Sequence, residues 1–112
     1  MRFSLFIQDS PDAGTAVASA LGFAIAALAG GHAIRQVFLH GDGVRAAQAG
    51  ADLDADLWAL LALARQHRIP LLACSTWLEK LGVEPIASVQ RGSLGQWCDA
   101  LDEVDRVVSF RA

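Results

Sequence analysis

The chain has 112 residues, 54% of them hydrophobic and 19% charged, with a formal charge of −3. That length and composition suit one domain over residues 1–112 with a sizeable core, and they exclude a disordered chain. No lysine- or arginine-rich block is present, which argues against a direct grip on nucleic acid.

The first element is RFSLFIQ, residues 2 to 8, which reads as a strand. In the SPDAG that follows, Ser10 suits a helix N-cap and Pro11 the first helical position. An alanine-rich helix then runs from Ala13 to about Ala29 and stops at Gly30-Gly31. Residues 13 to 31 carry no charge and approach the length of a membrane span. Alanine and glycine dilute their hydropathy, however, and Asp9 and Asp12 interrupt any signal-peptide pattern. A helix packed against a sheet and a neighbouring subunit is expected, with no membrane insertion.

IRQVFLH, residues 34 to 40, is the second strand, followed by the turn-like Gly41-Asp42-Gly43 and a short helical VRAAQA. Leu53, Leu57, Leu60, Leu61 and Ala64 mark one face of a helix. Its acidic start, Asp52, Asp54 and Asp56, and its basic end, Arg65, His67 and Arg68, complement the helix dipole. IPLLA is the third strand, apolar throughout as a central parallel strand should be. A short helix follows Cys74 and ends at Gly82, with Thr76 and Glu79 spaced as a capping box. Residues 86 to 90 read as a fourth strand, and Ser93 and Gln96 as a capping box for a helix reaching Glu103. RVVSF, residues 106 to 110, closes the chain as a fifth strand.

Strands that alternate with helices predict βαβ crossovers, hence a three-layer α/β/α domain with a mostly parallel five-stranded sheet. Function in such sheets gathers at the carboxyl ends of the strands. Here those ends are Asp9-Ser10, His40 to Gly43, Cys74-Ser75 and Gln90 to Gly92. Cys74 therefore stands where an α/β protein does its chemistry, beside helix N–H groups that favour a thiolate. The same position also suits a small core residue, and the residues alone leave both readings open. Cys98 shares a helix face with Leu94 and Leu101 and reads as a packing residue. His32 and His67 read as structural or solvated, whereas His40 lies on the functional edge and could assist a thiolate. With no CxxC and no His/Cys ligand spacing, no metal site is expected. GDGVRAAQAG lacks the spacing of a phosphate loop, and no nucleophile elbow is present.

The opening MRFSLFIQDSPDAGTAVASALGFAIAALAGGH resembles the start of the DsrE/TusD proteins of the sulfur-relay family. The resemblance continues through VFLHGDGVRAAQ, LLACSTWLEKLGV and GSLGQWCDALDEVDRVVSF, in order, and so covers nearly the whole chain. It implies that Cys74 accepts a sulfane sulfur as a persulfide and hands it to a cysteine of a partner protein. It further implies cytoplasmic trimers or hexamers, homo- or hetero-oligomeric, serving tRNA thiolation or sulfur oxidation through donor and acceptor proteins. Sulfur transfer of this kind requires no metal or organic cofactor. Thr76, Trp77 and Glu79 stand where relatives carry smaller, more basic residues, a departure that bears on partner and pathway rather than on chemistry. The alternative is a non-catalytic structural subunit of a DsrEFH/TusBCD-like complex. A stand-alone ligand-binding module is a third reading, disfavoured by the missing phosphate-loop pattern.

Overall fold

The computed structural model describes residues 1–10, 15–50, 52 and 54–111. Its strands are β1 (Arg2–Ile7), β2 (Ala33–Leu39), β3 (Leu71–Cys74), β4 (Gln90–Gly92) and β5 (Arg106–Phe110). Its helices are α1 (Ala16–Ala29), α2 (Ala55–Gln66), α3 (Ser75–Leu81) and α4 (Leu94–Asp99), with 3-10 segments at Gly41–Ala47 and Ala100–Glu103. The strands form one sheet in the order β4-β3-β2-β1-β5, and every pairing in it is parallel. The expected α/β architecture is therefore present.

The side chains of β1 show how the layers divide. Successive residues of a strand point to opposite faces. On one face Phe3 meets Phe23 of α1, ring centroids 5.0 Å apart, and Phe23 in turn meets Phe110 of β5. On the other face Phe6 packs on Trp97 of α4 at 4.8 Å. Helix α2 packs on α1, and α3 reaches the Phe6 face through Trp77. Leu5, Ile7, Val37, Phe38 and Leu39 of the inner strands β1 and β2 are all buried, as strands covered on both faces must be.

Several boundaries differ from the sequence expectation. Helix α1 begins at Ala16, with Thr15 at the N-cap and no side-chain cap bond, so Ser10 does not cap it. Pro11, Asp12, Ala13 and Leu53 lie outside the described residues. The remaining inner-face positions of α2, Leu57, Leu60, Leu61 and Ala64, are buried as their spacing requires. Asp54 is its N-cap and accepts from the Asp56 N–H at 2.9 Å.

The fourth strand is Gln90–Gly92, not residues 86 to 90. Backbone groups upstream are committed elsewhere. The Ile86 N–H donates to Ala47 O at 2.8 Å, the Ala49 N–H to Glu84 O at 2.7 Å, and the Val89 N–H turns back to Ile86 O. Donors used against the 3-10 segment are not available to a ladder with β3. The Gly41-Asp42-Gly43 turn opens that 3-10 segment, and a Cβ on Gly43 would collide with the Ile7 carbonyl oxygen. Only glycine lets the chain pass so close to the end of β1.

Candidate functional site

Parallel pairing brings the carboxyl ends of the strands to one edge. Cys74 is the last residue of β3 and pairs with Gly92 of β4 on one side. On its other side the β2–β3 register runs to Leu39↔Ala73, and His40 and Cys74 are the residues that follow this last paired rung. Ile7 pairs with Leu39 one strand further along. The sequence expectation that these strand ends share one edge is met.

Cys74 is also the N-cap of α3, with extended backbone angles and no side-chain cap bond. The Thr76–Glu79 capping box does not form, because α3 starts at Ser75 and Thr76 lies inside its first turn. The exposure of the two thiols runs against a reactive Cys74 and a packed Cys98. A reactive thiol at a helix start calls for a partly exposed site, and Cys74 is 2% exposed. Cys98 was expected to pack inward and is exposed.

The reason for the second reversal lies in Trp97. Its indole N–H donates to Ser4 Oγ at 3.1 Å, and Gln36 Nε2 donates to the same oxygen at 3.1 Å and to Trp97 O at 3.2 Å. Ser4 and Gln36 are buried polar groups inside the sheet layer, and this network satisfies them. With Trp97 drawn onto Phe6, the inward face of α4 and the turn after it is Trp97 and Ala100. The neighbouring face of Leu94 and Cys98 is left to solvent, with Leu94 45% exposed.

Around the Cys74 edge the aromatic residues form a continuous group. The His40 ring stacks on Phe6 at 5.0 Å and meets Trp77 edge-on at 5.8 Å. Lys80 Nζ lies over the Trp77 ring, 4.9 Å from its centroid. Burial pushes the His40 pKa below its ordinary value, because a charged imidazole is poorly solvated there. His40 was a weak signal in the sequence, and its aromatic neighbours, distant in the chain, could not be read from it. Charged residues near this edge belong to ion pairs or to the turn after β2. Arg91 pairs with Glu84 at 2.6 Å, and Arg45 with Asp42 at 3.6 Å. Among the described residues no group of three His, Cys, Asp or Glu side chains converges as a metal site. No helix among them is long and apolar enough to cross a membrane.

A parallel α/β/α sheet with a cysteine at the carboxyl end of an inner strand places the chain among small thiol-bearing α/β proteins, and sequence comparison narrows the class. The DsrE/DsrF-like family model matches residues 1–110, and the chain belongs to that family. A curated relative, the "Sulfurtransferase TusD homolog" of Pseudomonas aeruginosa, is 30% identical over 128 aligned positions, spanning 98% of this chain and 97% of the relative. The crystal structure of the ychN protein from E. coli superposes with a TM-score of 0.78 at 20% identity, covering 98% of this chain and 100% of that one. That likeness concerns the fold.

Proposed function

We propose that this protein is a sulfur-relay carrier that accepts sulfane sulfur as a persulfide on Cys74 and passes it to a cysteine of a partner protein. The observation that carries the reading is the placement of Cys74 at the carboxyl end of β3 and the start of α3, inside a chain of the DsrE/DsrF-like family. A 30% identical relative bearing the name of a sulfurtransferase supports it. The chemistry asks little of the fold. A thiolate attacks the outer sulfur of a donor persulfide and is later attacked in its turn, so access and proton transfer decide the rate.

Burial of Cys74 shapes how such a carrier works. A sulfur enclosed in the resting chain is protected from stray thiols, and a docking donor must open the start of α3 to reach it. Specificity then resides in docking surfaces rather than in a substrate pocket. The carrier acts in the cytoplasm as an oligomer, and any link to tRNA thiolation or to sulfur oxidation runs through partner proteins rather than through bound nucleic acid.

The same burial favours a second reading, a non-catalytic structural subunit of a related complex, in which Cys74 is a core residue. Mass spectrometry separates the two. After incubation with a persulfidated donor protein, a carrier gains one sulfur mass on the Cys74 peptide, and Cys74→Ser abolishes the gain. A chain that takes up no sulfur, or only on Cys98, is not a carrier through Cys74.

A further inference from the structure

The paired rungs Val37↔Leu71, Phe38↔Leu72 and Leu39↔Ala73 carry the register of β2 and β3 to the edge of the sheet. His40 and Cys74 are the residues that follow that last paired rung, and the extended backbone of His40 continues the line of β2 beside a strand that runs ~4.8 Å away where the two are paired. Side chains in register on parallel neighbours leave the sheet on the same face. The imidazole does take the Phe6–Phe38 face, with ring centroids 5.0 Å from Phe6 and 6.3 Å from Phe38. Trp77, 5.8 Å from that imidazole, sits in the first turn of the helix that Cys74 caps. His40 and Cys74 thus follow the same paired rung toward one sheet face, and Trp77 of the helix that begins after Cys74 meets the imidazole.

An enclosed thiol lacks bulk water to take its proton, and sulfur transfer needs the thiolate. The charged residues at the carboxyl edge around His40 are Asp9 after β1, Asp42 and Arg45 on the 3-10 segment, and Glu79 and Lys80 on α3, while Arg2 of β1, Arg35 of β2 and Asp99 of α4 are the other charged residues of the elements packed around it. Asp42 and Arg45 pair with each other, and Lys80 rests over the Trp77 ring. Desolvation is what lowers the His40 pKa, and it leaves the ring neutral and able to accept a proton at neutral pH.

Resting on the carrier reading above, we propose that His40 is the proton acceptor for Cys74 during sulfur uptake. The Cys74 thiol gives its proton to the neutral imidazole, and the thiolate forms a bond to the outer sulfur of the donor persulfide. The donor's S–S bond breaks, its inner sulfur leaves as a thiolate, and the imidazolium protonates it. One persulfide and one thiol become one thiol and one persulfide, with no net oxidation or reduction.

The test follows uptake from a persulfidated donor protein, which can dock on the start of α3, as the gain of one sulfur mass on the Cys74 peptide. It uses a Cys98→Ser background, so that the exposed thiol does not compete, between about pH 5.5 and pH 9. With His40 present, the rate should reach half its maximum below about 6.5, the ordinary histidine value. His40→Gln should abolish that half-maximum below about 6.5, so that uptake keeps rising with pH across the range, and slow uptake at neutral pH by at least ~10-fold. Superimposable profiles overturn the role of His40 and leave Cys74 as carrier. If His40→Gln proves unstable, the unsubstituted profile decides alone, and a profile with no half-maximum below about 6.5 overturns the inference. No uptake on Cys74 at any pH overturns the carrier reading, and the role of His40 with it.

Discussion

Ser4 shows how much one small polar residue can organise. Its hydroxyl is the common acceptor for Gln36 Nε2 and Trp97 Nε1, and it is fully buried. Ser4→Ala keeps the packing volume but leaves two buried donors short of an acceptor, which costs ~1–3 kcal/mol for each. A loss of about 2–4 kcal/mol in urea unfolding is expected, because Gln36 keeps its bond to Trp97 O. Tryptophan fluorescence should change as well, since Trp97 loses its anchor. An unchanged midpoint would show that the network is incidental to the fold. Thiol reactivity belongs to the same scale. Alkylation depends on access as much as on acidity. Iodoacetamide on the folded chain should therefore label exposed Cys98 well before enclosed Cys74, and peptide mapping after short exposure reads the order directly. Faster labelling of Cys74 would mean that the start of α3 opens readily in the free protein.

At the scale of elements, the ends of the helices carry most of the local information. The Ser93–Gln96 capping box forms in full, with the Gln96 N–H donating to Ser93 Oγ at 3.0 Å and the Ser93 N–H to Gln96 Oε1 at 2.8 Å. The end of α2 is less comfortable. Arg68 follows it with φ +57°, a left-handed conformation that glycine adopts freely and arginine does not. The turn is nevertheless held, because the Ile69 N–H closes back on Ala64 O at 2.8 Å. Arg68→Gly should stabilise the protein by ~0.5–1 kcal/mol, the steric relief exceeding the added chain entropy. A thermal scan that shows a lowered midpoint would contradict this.

For the whole molecule, the outer face of α1 is the feature that a single chain leaves unexplained. Ala18, Gly22, Ile25, Ala26 and Ala29 are exposed and uncharged, and Ile25 is 53% exposed. A layer helix in a monomer ordinarily turns a polar face to water. Light scattering on the purified chain should give a mass of several subunits at micromolar concentration. Ile25→Glu should shift it toward one chain mass, because a carboxylate is poorly tolerated in an apolar contact. A monodisperse monomer in both cases would remove oligomerisation from the functional proposal.

Alternation of apolar strands with periodic helices was enough to derive the α/β/α class, the buried face of α2 and the edge that gathers the strand ends, because those depend on local periodicity and chain direction. The strand that ends in Cys74 was legible for the same reason. Long-range competition decided the rest. Strand β4 begins at Gln90 because, upstream of it, the Glu84 carbonyl accepts from the Ala49 N–H and the Ile86 N–H donates to Ala47 O, partners that no local window contains. Helix α4 is turned so that Cys98 faces water because Ser4 and Gln36, at the other end of the chain, capture Trp97. Cys74 is enclosed, and His40 brought to the same edge, only once β2 and β3 pair in one register. Sequence spacing places a thiol at the end of a strand; burial and neighbours are properties of the assembled sheet, since they depend on residues that meet only when the crossovers close.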